Sequence, residues 1–189
     1  MMLPNRNRPA AFGNRAATID ELAGASLHIV DGSSDSATGP EFATVGAIIL
    51  AVAAVQDEAL AIAQDDDFGD PRCAFVVGAI REMRAEHLPV DMVTIVGYVR
   101  RHSLLDGGAP RVNLASWLHE MTCAAPVPAS APWYADQVVE AAARRRAQHA
   151  AAAISAAAEG GSLAEPATDE LTAVTAAVAR VAGGGGLHV

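Results

Sequence analysis

Four groups of residues in this chain are of types that do chemistry. Asp65-Asp66-Asp67 offers three carboxylates of the kind that hold magnesium. Consecutive side chains splay in different directions, however, so the run reads as a solvated helix end before a buried Phe68. His102, Ser103 and Asp106 are the residue types of an acyl-transfer triad, crowded into one short stretch. Triads are assembled by fold geometry, and neighbours at one helix end cannot form the required hydrogen-bonded chain. His102 reads instead as a favourable charge, when protonated, near a helix C-terminus. His119-Glu120 opens like the helix of a zinc protease, but the fourth position after His119 is Cys123 rather than histidine, and no third ligand follows. Arg144-Arg145-Arg146 is the one basic run. Three consecutive helical residues span about 200° of arc, so at most two share a face. These arginines could bind phosphate, pair with Asp136 or Glu140 at helical spacing, or contact a partner protein. No catalytic, cofactor-binding or metal residue is assigned.

Composition narrows the chemistry further. All 13 basic residues are arginine, so the chain has no lysine. A phosphate loop of the Walker type and a Schiff-base enzyme both need a lysine and are excluded from this sequence. The formal charge of −9 argues against a nucleic-acid surface spread over the whole domain, because phosphate neutralisation dominates such affinity. A local basic patch stays open. Cys73 and Cys123 show no paired spacing and read as two small, packed apolar residues in a reducing compartment. No run approaches the roughly 18 apolar residues of a membrane span, and the stretch from Val45 to Val55 is too short for one. The expected location is cytoplasmic.

The elements that must position these residues are helical. Apolar residues reach 51% while aromatics supply only 4%, which favours close-packed helices over a β-sandwich. Residues 1–38 have the composition of a disordered arm, with Asp31-Gly32-Ser33-Ser34-Asp35-Ser36 as its linker-like part. Val45, Ile48, Ile49 and Val52 predict a first helix from Glu41, and a second covers Gln56 to Gln64. Asp70 and Pro71 open a third, with Phe75, Val76, Ala79, Ile80 and Met83 inside and Arg81, Glu82, Arg84 and Glu86 outside. Pro89 ends it. Asp91 caps the next helix, which buries Met92, Ile95, Val96 and Val99, and Gly107-Gly108 and Pro110 close it.

From about Val112 to Cys123, Leu114, Trp117, Leu118 and Met121 fall at i, i+3, i+4 and i+7. Pro126, Pro128 and Pro132 predict an extended loop. A long alanine-rich helix then runs from Trp133 towards Glu159, turns at Gly160-Gly161-Ser162, and returns from Glu165 to Val181 with Leu171, Val174 and Val178 on its apolar edge. The predicted class is all-α: a globule of about five to six helices over residues 39–130, an antiparallel hairpin over 131–182, and a flexible tail over 183–189.

This order of elements resembles the N-terminal domain of the DnaB-type replicative helicases. Glu41 with Val45-Gly46-Ala47-Ile48-Ile49-Leu50 is similar to the family's leading helix. Asp67-Phe68, Ala79-Ile80, the Pro-Val-Asp-x-Val-Thr turn at Pro89 to Thr94 and the run Val99 to Leu105 follow in the family's order. Leu114, Leu118, the proline-rich loop, Tyr134-Ala135, Val138-Val139 and Arg144-Arg145 complete it. Two positions depart from the pattern. Phe42 stands where the family has glutamine, and Pro132-Trp133 where it has asparagine. The chain also stops where the family continues into a RecA-like motor.

The resemblance implies a non-catalytic scaffold in DNA replication. In the family the hairpins pair into dimers, and the resulting collar docks the primase C-terminal region and loading factors. The implied self-association residues are Val138, Ile154, Leu171, Val174 and Val178. Glu140, Arg144, Arg145 and Arg146 lie towards a partner. The implied partners are a second copy, a primase C-terminal region, and a replicative helicase or its loader, with DNA binding weak or absent and no cofactor. The alternative is a small nucleic-acid-binding or helicase-regulating protein that uses Arg144 to Arg146.

Overall fold

The computed structural model describes residues 38–105, 113–160 and 164–184. The predicted arm up to residue 37, the Gly107-Gly108 stop, Gly161-Ser162 of the hairpin turn and most of the tail lie outside these residues, while Thr38, the predicted arm's last residue, begins a helix. Among the described residues every regular element is a helix. They are α1 (Thr38–Leu50), α2 (Ala53–Ile62), a 3₁₀ turn (Asp65–Asp67), α3 (Pro71–Ala85), α4 (Met92–Arg101), α5 (Leu114–Ala124), a second 3₁₀ turn (Pro128–Ser130), α6 (Ala131–Gly160) and α7 (Ala164–Gly184). No described helix is long and apolar enough to cross a membrane.

Local chemistry sets the helix ends. Asp70 accepts the Arg72 N–H at 2.8 Å with Pro71 behind it, so α3 starts at a donor-poor first turn that its cap satisfies. Asp91 and Thr94 form a reciprocal capping box on α4. Both α3 and α4 end by reversing at a non-glycine residue in the left-handed region, His87 (φ 58°) and Ser103 (φ 51°). The backbone bonds Leu88 N–H to Met83 O and Leu104 N–H to Val99 O close these ends. Arg81 donates to the terminal carbonyls of α2, Leu60 O at 3.0 Å and Ala63 O at 2.9 Å.

The core is built around α1, which packs against α5, α6, α2 and α3. Val45, Ala47 and Ile48 from α1 meet Val76, Val77 and Ile80 from α3, Ile95 and Val99 from α4, and Trp117, Leu118 and Met121 from α5. Gly46 explains how α1 and α5 come so close: a Cβ there would stand 1.9 Å from the Met121 carbonyl oxygen. The absent side chain is therefore a packing requirement.

Several boundaries and faces differ from expectation. Helix α1 stops at Leu50 and the chain turns, leaving Val52 71% exposed as the residue before α2. The proline-rich stretch is a single 3₁₀ turn running straight into α6, which starts at Ala131 because Pro132 is tolerated in a first turn. Met92 lies in the first turn of α4 beside Thr122 and is exposed, whereas Glu82 is buried, with the Tyr98 hydroxyl at 3.1 Å from Oε2. Burial, with the Glu82 and Glu86 carboxylates beside it, holds the Tyr98 phenol well above its ordinary range. Cys73 is buried as expected, but Cys123 is exposed on the outer face of α5.

The largest revision concerns α6. Its first half belongs to the globule: Ala131, Ala135, Val138 and Val139 all sit in the core cluster. Only its later turns leave the globule and pair with α7, with Ala150 and Ala177 buried in the hairpin.

Two substitutions test this packing. Gly46→Ala should lower the unfolding free energy by about 1–3 kcal/mol, because either the helices separate or the carbonyl shifts. Trp117→Ala should cost about 3–5 kcal/mol. Urea unfolding followed by circular dichroism reads both, and a loss under about 0.5 kcal/mol for Gly46→Ala contradicts the close α1–α5 crossing.

Candidate functional site

The hairpin is fixed to the globule by arginines that converge on two buried carboxylates. Asp67 closes the 3₁₀ turn, and Gln64 N–H donates to its Oδ2 at 2.9 Å. From α6, Arg146 Nη1 donates to Oδ1 at 2.9 Å. From α7, Arg180 donates through both Nη atoms, at 3.0 Å to Oδ2 and 2.5 Å to Oδ1. A carboxylate has about four acceptor positions, and here each has a donor, although the side chain is 0% exposed. The Arg180 fork and a single N–H from Arg146 compensate for the water this buried carboxylate lost.

Glu41 is the second anchor. Its Oε1 accepts from Gly69 N–H at 2.9 Å and its Oε2 from Asp70 N–H at 2.8 Å. Arg145 Nη1 donates to the same Oε1 at 3.1 Å, while its Nη2 bonds the Asp67 carbonyl oxygen. One buried carboxylate of α1 thus ties down the loop before α3 and a turn of α6. That α6 and α7 both reach Asp67 requires them to run antiparallel, as a hairpin.

Burial pushes the Asp67 carboxyl up, but the hydrogen bonds from Arg180, Gln64 N–H and Arg146 outweigh it and hold the group below the usual carboxylate range. The Arg180 guanidinium is correspondingly raised by its bond to Asp67. Nearby, Asp70 holds Arg72 through a 2.6 Å contact, and the Arg72 guanidinium lies 4.7 Å from the centroid of the Phe42 ring.

Against this geometry the sequence-derived residues fall into three groups. Of the arginine run, Arg145 and Arg146 are committed to Glu41, Asp66 and Asp67, and Arg144 pairs with Glu140 along the exposed face of α6. The Glu140 pairing is one that helical spacing indicated; the other two are not. The three aspartates do splay apart: Asp65 turns to Arg81, Asp66 to Arg146, and Asp67 inward. Asp67 is therefore a buried anchor and not part of a solvated helix end.

Of the self-association residues, Val138 needs correction, since it is 0% exposed inside the globule and offers nothing to a partner. Leu171 and Val178 are 54% and 53% exposed, while Ile154 and Val174 are half-buried. His102 stacks near Tyr98 with ring centroids 4.3 Å apart, which occupies it within its own helix. Asp106, the third member of the triad-like group, lies outside the described residues.

Sequence reasoning missed Glu41, Asp67 and Arg180 as a unit. One signal was available: Arg180 is the single basic residue of α7, in a helix otherwise rich in alanine and valine.

An all-α globule with a hairpin clamped against it defines the class as a helical domain without an enclosed catalytic constellation among the described residues. Residues 35–140 match the family described as DnaB-like helicase N terminal domain, more than half of the chain, and the chain belongs to that family. Among solved structures, the N-terminal domain of DnaB helicase from Mycobacterium tuberculosis is similar with a TM-score of 0.59 and 25% identity, covering 75% of this chain and 94% of that one. No curated protein matches the chain. The matched region is a replication helicase's N-terminal domain, which is the non-catalytic part of such an enzyme.

Asp67→Asn should free the hairpin and cost about 2–4 kcal/mol, below the full value for a broken buried pair because Arg146 and Arg180 can rehydrate. Acid should act in the same direction. The folded carboxyl titrates below the unfolded one, so Asp67 contributes its full stabilisation above the ordinary carboxylate value of about 4. That contribution falls away as pH drops through the lowered folded value. Hydrogen exchange on α7 should rise in both cases before the α1–α5 core exchanges, and simultaneous exchange of core and hairpin would contradict the clamp.

Proposed function

We propose that this chain acts as a scaffold in a replicative helicase assembly: it pairs with a second copy through its hairpin, and the paired hairpins dock a primase C-terminal region, a helicase or a loader. The observation that carries the reading is the outer edge of α7. Leu171 and Val178 lie about two helical turns apart on one side, exposed by 54% and 53%, with half-buried Val174 between them. Ile154 of α6 adds to this apolar content and Val138 does not. An apolar edge on a hairpin already clamped in place is suited to isologous pairing, since it needs little ordering on association. Membership in the helicase N-terminal domain family supports the same reading.

The alternative, a nucleic-acid-binding protein that uses Arg144 to Arg146, has less to support it. Each of these side chains already faces a carboxylate, so binding phosphate would require breaking an internal pair.

Size-exclusion chromatography with light scattering tests the proposal. The wild-type chain should elute at twice its monomer mass, and Leu171→Asp with Val178→Asp should yield a monomer of unchanged helicity. The double variant should also lose capture by the primase C-terminal domain. A wild-type chain that remains monomeric as concentration rises would refute self-pairing.

A further inference from the structure

We infer that the apolar pole of the globule at the start of α6 is a docking surface for this chain's own residues 1–18. Among the described residues eight large apolar side chains are exposed, and two of them, Leu171 and Val178, edge α7. The other six, Leu50, Val52, Met92, Val93, Val127 and Trp133, belong to one end of the globule, away from the hairpin. Helix α1 crosses α5 at Met121 and Ala125, beside Gly46, so Leu50 lies about one turn beyond that crossing. The last turn of α5 touches the first turn of α4, with Met92 Sδ 3.7 Å from the Thr122 hydroxyl oxygen. The second 3₁₀ turn packs on α1, with Val127 immediately before it and Trp133 in the first turn of α6 just after. The opposite end of α1 is the one pinned to the hairpin side, through Glu41 and Arg145. Single exposed apolar residues need no explanation, but six at one end mark an interaction surface.

Charge and reach identify the occupant. The segments that build this pole, residues 47–55, 88–93 and 122–136, contain two carboxylates, Asp91 and Asp136, and no basic residue. Residues 1–18 are the complement, with Arg6, Arg8 and Arg15, no acidic residue, and Leu3 and Phe12 as apolar anchors. Helix α1 has 13 residues, so the pole lies about 20 Å along it from Thr38. Residues 19–37 reach at most about 65 Å, which spans that distance with length to spare. A covalent connection of this kind gives an effective concentration on the order of millimolar, at which a weak contact is largely occupied. The chain's own segment therefore outcompetes that of a second copy. Docking there leaves the α7 edge uncovered, so the contact is independent of hairpin pairing, and another protein reaches the pole only by displacing residues 1–18.

A nitroxide on Cys123 of the full-length chain tests the contact, because Cys123 is exposed next to Thr122 while Cys73 is buried and stays unlabelled. In isotopically enriched protein the nitroxide should broaden the amide signals of residues 1–18 relative to the reduced, diamagnetic sample. Phe12→Ala should restore that intensity, as should Val93→Ser combined with Trp133→Ser. Val93 and Trp133 are exposed, and circular dichroism confirms that the variants are folded. A mixture of nitroxide-bearing chain without isotope and enriched chain without nitroxide reads the second copy alone, and should show little broadening. Broadening as strong in the mixture as within one chain assigns the pole to a second copy and overturns the inference. Signals of residues 1–18 that stay sharp also overturn it, as does broadening that survives both sets of substitutions.

Discussion

The placement of the hairpin depends on one electrostatic constraint: two carboxylates removed from water must be satisfied, and among the described residues the guanidiniums that reach them come from the hairpin helices. Glu41 and Asp67 are 2% and 0% exposed. Left unpaired, each would cost several kcal/mol. Arg145, Arg146 and Arg180 meet them with forked guanidiniums, which satisfy several acceptor positions at once in a way that a lysine ammonium could not. An arginine-only basic complement therefore has a structural rationale here, at least at these three sites. Surface pairs such as Arg84 with Asp57 are, by contrast, worth little individually.

Much of the fold was legible in the sequence. Asp70-Pro71 and Asp91 marked two helix starts because their side chains act locally on the next turn, and the Leu114–Met121 spacing gave the buried face of α5. Local chemistry of this kind leaves a local signature. What could not be read was anything set by contacts distant in sequence. The Glu41–Arg145 and Asp67–Arg180 pairs join residues 104 and 113 positions apart. No periodicity marks such pairs, and a run of three aspartates reads as solvent-facing until the arginines are seen to cover it. Val138 shows the same limit. The family resemblance placed it on a pairing hairpin, but a helix cannot announce from sequence which half of its length lies in a globule and which half leaves it.

The two halves of α6 divide the labour of the domain. One half completes the core laid down by α1, α3 and α5, and the other carries the partner for α7 out of it. The helix is continuous across that boundary, so whatever positions its first half also aims its second. The exposed edge of α7 is in turn oriented by a rigid lever and a charged latch rather than by a flexible linker.

The latch also has a bearing on the order of events during folding. Glu41 contributes to α1 and to the loop before α3, and Asp67 needs the 3₁₀ turn before it can accept two guanidiniums. Neither anchor exists until the residues around it have assembled, while α6 and α7 can wind up as helices on their own local bonds. Contacts spanning about half the chain or more close late, because the entropy of the intervening loop must be overcome first. The seated hairpin is therefore a report that the globule behind it has assembled: without the two anchors, the same apolar edge of α7 would stand at an arbitrary angle to the core.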